Sequence, residues 1–217
     1  MRVLITTLPG HGHLGPLIPL AHALRTAGHE VAFGTSATFR EFLAARGLAL
    51  EPCGPHWRES DFGYQFQQPH VLADLGRFID TEVTSRVLAD VEGIVRRWQP
   101  DVLLSNDYEP NGRVVAERAG IPFVLASSGP RVTRATQEKL LGFNLKRSRA
   151  AGGLPQHDEL SYSLEWLRLQ FCPAFHCYCA AGEAEPIEAP NQYAIRPSVD
   201  ARTATRSRTG SAATSGS

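Results

Sequence analysis

A chain of 217 residues can bury a full core and is the size of one ordinary globular domain. Its 22 Lys plus Arg balance 22 Asp plus Glu, so no net basic field exists to attract nucleic acid or an anionic membrane. No apolar run approaches a membrane span, and the opening MRVLITTLPG lacks a small-residue cleavage signature, which makes a cytoplasmic protein with reduced thiols the expectation.

The spacing predicts a strand over 3–7, then the Gly-rich PGHGHLGP, then a helix on which Leu17, Leu20, Ala21 and Leu24 recur. Gly28 stands where a helix-terminating glycine belongs, and 29–34 reads as a second buried strand, completing a βαβ unit. A helix over 37–45, closed by Gly47, leads to a strand over 48–51. Residues 52–69 show no clean period and are read as a long irregular loop carrying Trp57, Phe62, Tyr64 and Phe66.

Val71, Leu75, Phe78, Val83, Val87, Val91, Ile94 and Trp98 then mark one face of a long helix ending before Pro100. A strand over 101–105, a helix over 113–118 with Gly120 after it, and a strand over 122–126 continue the alternation. Such an order predicts an α/β fold: a Rossmann-like parallel sheet with helices on both faces. Further helices are expected over 133–147 and 158–169. After Pro197 the sequence VDARTATRSRTGSAATSGS has too little apolar surface to offset chain entropy, so 197–217 is expected to be a disordered tail. The four cysteines, Cys53, Cys172, Cys177 and Cys179, lack the paired C-x2-C knuckles of structural zinc. They are read as buried or partly buried thiols, and no metal site is expected.

The loop after the first strand carries the chemistry. Gly10, Gly12 and Gly15 form a formal G-x-G-x-x-G between strand and helix, a spacing that can bring backbone amides to a pyrophosphate. A dinucleotide site also needs an acidic residue at the end of the second strand, where this chain has Gly34, Thr35 and Ser36. His11 and His13 are either polar loop residues that satisfy backbone groups, or one of them is a general base facing the crevice at the sheet's C-terminal edge.

The run GHGHLGPLIPLAHALRTAGHEV, followed in order by QPDVLLSNDYEPNGRVVAERAGIPFVLAS, resembles two blocks of bacterial natural-product glycosyltransferases of the UDP-glycosyltransferase superfamily. These are a G-H-x-x-P-L loop before an L-x-x-x-G-H-x-V helix exit, and a P-D-x-x-x-x-D segment before A-E-x-x-G-I-P. The resemblance covers residues 1–196 and implies the N-terminal, acceptor-binding half of a two-domain GT-B enzyme. It further implies inverting transfer of a sugar from a nucleotide-sugar donor, a co-substrate in place of any cofactor, to a small hydrophobic acceptor.

The general base of the resembled family falls on His13, within Gly12-His13-Leu14-Gly15-Pro16. Its orienting carboxylate falls on Asp107 or, by strict spacing, on Asn106; either residue is alternatively a strand-end cap for the next helix. Trp57, Phe62, Tyr64 and Phe66, with Gly12, either line the acceptor pocket or, for the aromatics, cover the sheet edge. The donor-binding domain of the resembled enzymes has no counterpart here, so the chain alone is expected to be inactive, with an exposed apolar face where that domain would dock. Other readings are a non-catalytic small-molecule-binding fragment and, ranked below it, a dinucleotide-binding domain.

Overall fold

The computed structural model describes residues 1–56, 81–127, 131–132, 142–156, 167–170, 177–178 and 192–194. Strand β1 (Arg2–Thr6) leads into a single helical turn α1 (His11–Leu14) and helix α2 (Leu17–Thr26). Strand β2 (Glu30–Thr35), a 3-10 turn (Ala37–Phe39), helix α3 (Arg40–Ala44) and strand β3 (Ala49–Pro52) follow. Helix α4 (Thr81–Trp98), strand β4 (Val102–Asn106), helix α5 (Asn111–Ala119) and strand β5 (Phe123–Ser127) continue the alternation. Beyond them come β6 (Arg131–Val132), helix α6 (Phe143–Ala151), β7 (Leu167–Gln170), β8 (Cys177–Tyr178) and β9 (Gln192–Ala194).

Seven strands form one sheet in the order β3-β2-β1-β4-β5-β7-β9, and every described pairing is parallel. Alternate residues of the central strands feed two separate cores. Leu4, Leu103 and Phe123 pack under Val87, Val91 and Ile94 of α4, Val114 and Val115 of α5, and Leu145 of α6. On the other face Val3, Ile5, Phe33 and Leu104 meet Leu14, Leu17, Ala21 and Leu43. A sheet buried on both sides needs apolar residues at nearly every strand position, which is why Val3-Leu4-Ile5 and Val102-Leu103-Leu104 read as continuous runs. Each such fully buried side chain contributes about 1.5–3 kcal/mol of transfer free energy.

Helices α2 and α5 both stop where the chain turns left-handed, at Gly28 (φ 84°) and Gly120 (φ 66°). Helix α4 ends before Pro100, as its spacing predicts. The strongest packing constraint lies under α5. A Cβ placed on Gly112 would overlap the hydroxyls of Ser105 and Thr6, which are themselves hydrogen-bonded at 2.5 Å. Only a glycine lets the first turn of α5 lie this close to β1 and β4.

One expectation is corrected. The helix predicted over 158–169 gives way, at 167–170, to strand β7; residues 158–166 lie outside the described residues. Leu167 and Leu169 alternate with Arg168 and Gln170 and pair with Val124 and Ala126 of β5, so tertiary pairing overrides a short helix-like recurrence. Residues 192–194 form β9 at the sheet edge against β7, a strand the sequence does not announce. Among the described residues Met1, 62% exposed, is the exposed large hydrophobic, so the predicted apolar docking face is not found there.

Helix α6 runs to Ala151 rather than 147, anchored by Arg149. That side chain is wholly buried and donates from Nη1 and Nη2 to Glu117 (2.6 and 3.2 Å) and from Nε to the carbonyl of Pro155 (2.8 Å). No helix of the described residues is long and apolar enough to cross a membrane. Cys172, Cys179 and the predicted tail lie outside the described residues, while Cys53 is a buried free thiol.

Replacing Gly112 by alanine is expected to cost about 1–3 kcal/mol through overpacking. Urea denaturation of the two chains, compared at unchanged m-value, measures it.

Candidate functional site

The strand order reverses direction between β1, which is followed outward by β2, and β4, which is followed on the other side by β5. At such a switch point the loops leaving the two strands part and open a crevice beyond their carboxyl ends. Residues 7–13 enter it from β1 and residues 107–110 from β4.

His13 sits on α1 rather than in an open loop. The amides of His13 and Leu14 donate to the carbonyl of Gly10 (3.0 and 2.9 Å), and that of Gly15 to His11 (2.8 Å). None of Gly10, Gly12 and Gly15 has a positive φ. These amides are spent inside the turn, and the end of β2 offers Thr35 and Ser36 instead of a carboxylate, so the glycine pattern serves to wind α1. Gly12 is exposed, with open space beside its Cα.

The ring of His13 is partly buried and lies edge-on to Tyr108, with centroids 5.3 Å apart. Burial lowers its pKa below 6.5, and the Asn106 carboxamide, which favours the protonated ring, opposes that shift. Nδ1 is shielded from solvent with no partner at full hydrogen-bond geometry. The neutral imidazole is therefore the dominant form at neutral pH. His11 points elsewhere, packing edge-on against Phe39 and Phe42 at 5.2 and 4.8 Å.

Of the two candidates for orienting His13, Asn106 is the one that hydrogen-bonds its ring. It ends β4 with no exposure, and its Oδ1 accepts from the amide of Tyr108 at 3.1 Å. Consecutive extended residues face opposite sides. Asp107 accordingly turns toward β5, where its Oδ2 accepts from the hydroxyl of Ser127 at 2.7 Å. Its charge, after burial, raises the pKa of Tyr108 and keeps the phenol protonated.

The next residue, Glu109, is almost fully buried and caps α5: Oε1 accepts from the amide of Asn111 (2.9 Å) and Oε2 from that of Gly112 (3.0 Å). A carboxylate there answers the unpaired amides and the positive end of the helix dipole. Tyr108, Glu109 and Ser127 were not singled out from the sequence. Glu109 alone carries a local signal, an acidic residue and Pro110 ahead of a helix; Tyr108 and Ser127 acquire their parts only when β4 and β5 pair. Trp57, Phe62, Tyr64 and Phe66 lie outside the described residues.

A narrow cleft is lined by residues 7–9, by Thr35, Ser36 and Cys53, by Val83, Thr84 and Val87, and by residues 108–111, among them Tyr108, the ring neighbour of His13. Its walls join the loops of the switch point to the start of α4.

Comparison with known proteins now decides the family. A family model described as "Erythromycin biosynthesis protein CIII-like, N-terminal domain" matches residues 22–174. The chain belongs to this family. His13 lies ahead of the matched stretch. Among curated relatives, the chain is 35% identical over 133 residues to L-demethylnoviosyl transferase of Streptomyces niveus, covering 59% of this chain and 35% of that protein. It is 27% identical to 3-alpha-mycarosylerythronolide B desosaminyl transferase of Saccharopolyspora erythraea, covering 76% and 45% respectively. The solved structure of SsfS6, a glycosyltransferase of Streptomyces sp. SF2575, superposes with a TM-score of 0.60 at 25% identity, over 80% of this chain and 51% of that one. The fold is also that of the glycosyltransferase SnogD from Streptomyces nogalater, with a TM-score of 0.63 at 22% identity over 91% and 51%. The architecture of this CIII-like domain is thus the N-terminal half of a GT-B glycosyltransferase, and the chain spans about a third to a half of the length of these relatives.

Because the folded-state pKa of His13 is depressed, the unfolded chain takes up the proton first as pH falls through 6.5, and stability is lost from there down through the folded value. The melting temperature of the wild-type chain is expected to drop more between pH 7 and pH 5.5 than that of His13→Gln, as followed by circular dichroism.

Proposed function

We propose that this chain is the acceptor-binding half of an inverting glycosyltransferase, which moves a sugar from a UDP- or dTDP-linked donor to a hydroxyl of a small hydrophobic acceptor. The observation that carries the reading is His13: a neutral, partly buried imidazole at the switch point of a GT-B-type sheet, set against Tyr108 of the cleft wall. Family membership and the printed activities of the relatives support it.

In this reading the acceptor hydroxyl gives its proton to His13 as its oxygen attacks the anomeric carbon. The bond from that carbon to the diphosphate breaks on the opposite side, so one displacement inverts the centre and releases the nucleoside diphosphate. The proton rests on the imidazole. Asn106 orients the ring but carries no charge to offset the imidazolium, in contrast to the carboxylate of better-known His-carboxylate pairs. Asp107 acts as a positioning residue, tying the turn that bears Asn106 and Tyr108 to β5 through Ser127. The donor is held by a second half beyond these 217 residues, so the chain alone binds acceptor without turnover.

Calorimetry of the chain with UDP-glucose, dTDP-glucose and hydrophobic aglycones tests the division of labour. Aglycone binding without nucleotide-sugar binding is the expected result, and the reverse would return the glycine loop to consideration as a donor site. In a chimera bearing the C-terminal half of a Streptomyces relative, His13→Ala is expected to lower transfer by about 10²–10⁴-fold. Transfer at the wild-type rate in that variant would leave a non-catalytic binding domain as the better account. Asn106→Asp adds a carboxylate beside the ring, raises the pKa of His13 and is expected to move the acid limb of the chimera's pH–rate profile to higher pH.

A further inference from the structure

Two side chains in the cleft have no role in the reading above. Thr35, at the end of β2, and Thr84, in the first turn of α4, are 1% and 0% exposed, and both line the cleft. The hydroxyl of each is buried without a hydrogen-bond partner. Their polar neighbours are occupied: Ser36 donates to the carbonyl of Pro55 at 3.0 Å and accepts from Thr38 at 3.1 Å, and both oxygens of Glu109 hold α5 amides. A buried unpaired hydroxyl destabilises a fold, and the isosteric valine would not; two in one cleft call for a partner from outside the chain.

We infer that this cleft receives the end of the acceptor remote from the reacting hydroxyl, and that Thr35 and Thr84 select an acceptor bearing a neutral hydrogen-bonding group, a hydroxyl, at that end. The body of such a ligand is apolar, because Leu8, Pro9, Val83 and Val87 form the remaining wall. Its head is uncharged or a donor. Glu109 lies in the wall, and Asp90 accepts from the amide of Gly54 at 2.9 Å, next to Cys53 of the same wall. Burial raises the pKa of the Cys53 thiol first, and the charges of Glu109 and Asp90 raise it further. A further carboxylate is disfavoured beside these two.

This inference rests on the acceptor reading, and a matched pair of probes tests the two apart. Binding of 2-naphthol and of 2-methylnaphthalene, which differ by a hydroxyl in place of a methyl, is measured by fluorescence titration of the 217-residue chain. The wild type is expected to prefer 2-naphthol by about tenfold. That preference should fall to near unity in Thr35→Val/Thr84→Val and persist in Thr84→Ser. The double valine variant, free of ligand, should melt at or above the wild-type temperature, since it discards two unpaired hydroxyls.

A wild type that binds neither probe overturns both the inference and the acceptor reading. Preference retained in the valine variant overturns the inference and leaves the acceptor reading standing. A lower melting temperature of the valine variant also overturns it, because the hydroxyls would then be serving the fold.

Discussion

One close contact sets the geometry of the crevice: the first turn of α5 lies directly on the hydrogen-bonded hydroxyls of Thr6 and Ser105, where Gly112 leaves no side chain between them. Thr6 is the last residue of β1, Ser105 the penultimate residue of β4, and the two strands are neighbours at the point where the sheet changes direction. From Thr6 the chain has only a few residues in which to reach α1, and from Ser105 only a few to reach α5. His13 and Asn106 are consequently delivered to the same place by short connections from a rigid base. Short connections from packed strands are what allow two side chains to keep their spacing without a disulfide or metal.

Electrostatics across the crevice are graded. The His13 side is neutral, because burial outweighs the pull of Asn106 and the nearest aromatic neighbour is a phenol that stays protonated. The α5 side is acidic, with Glu109 committed to helix amides and Asp90 to Gly54.

Much of this was legible in the residues. The βαβ opening, the strands bearing Leu103 and Val124 and the long helix bearing Val87 and Val91 all follow from apolar runs long enough to fix a period. His13 emerged because two sequence blocks in order identified a fold half, and the crevice then had a known edge. The choice between Asn106 and Asp107 was not legible, since it depends on where β4 stops being extended, one residue either way reversing the side chain. Strands β7 and β9 are four and three residues long, too short for a period to declare itself. The ionic lock of Arg149 was beyond sequence reading for a different reason: nothing about an arginine in a polar stretch announces that three of its nitrogens will be buried together.

That lock has a mechanical meaning for the cleft. Helix α5 is gripped at its start by Glu109 and toward its end by Glu117, which Arg149 clamps from α6. A rod fastened at both ends makes a fixed jaw. The opposing jaw is the first turns of α4, with Val83, Thr84 and Val87. The Asn106–Tyr108 corner runs directly into the fastened jaw, so the stiffness of α5 is passed on to the ring of His13 that rests against it.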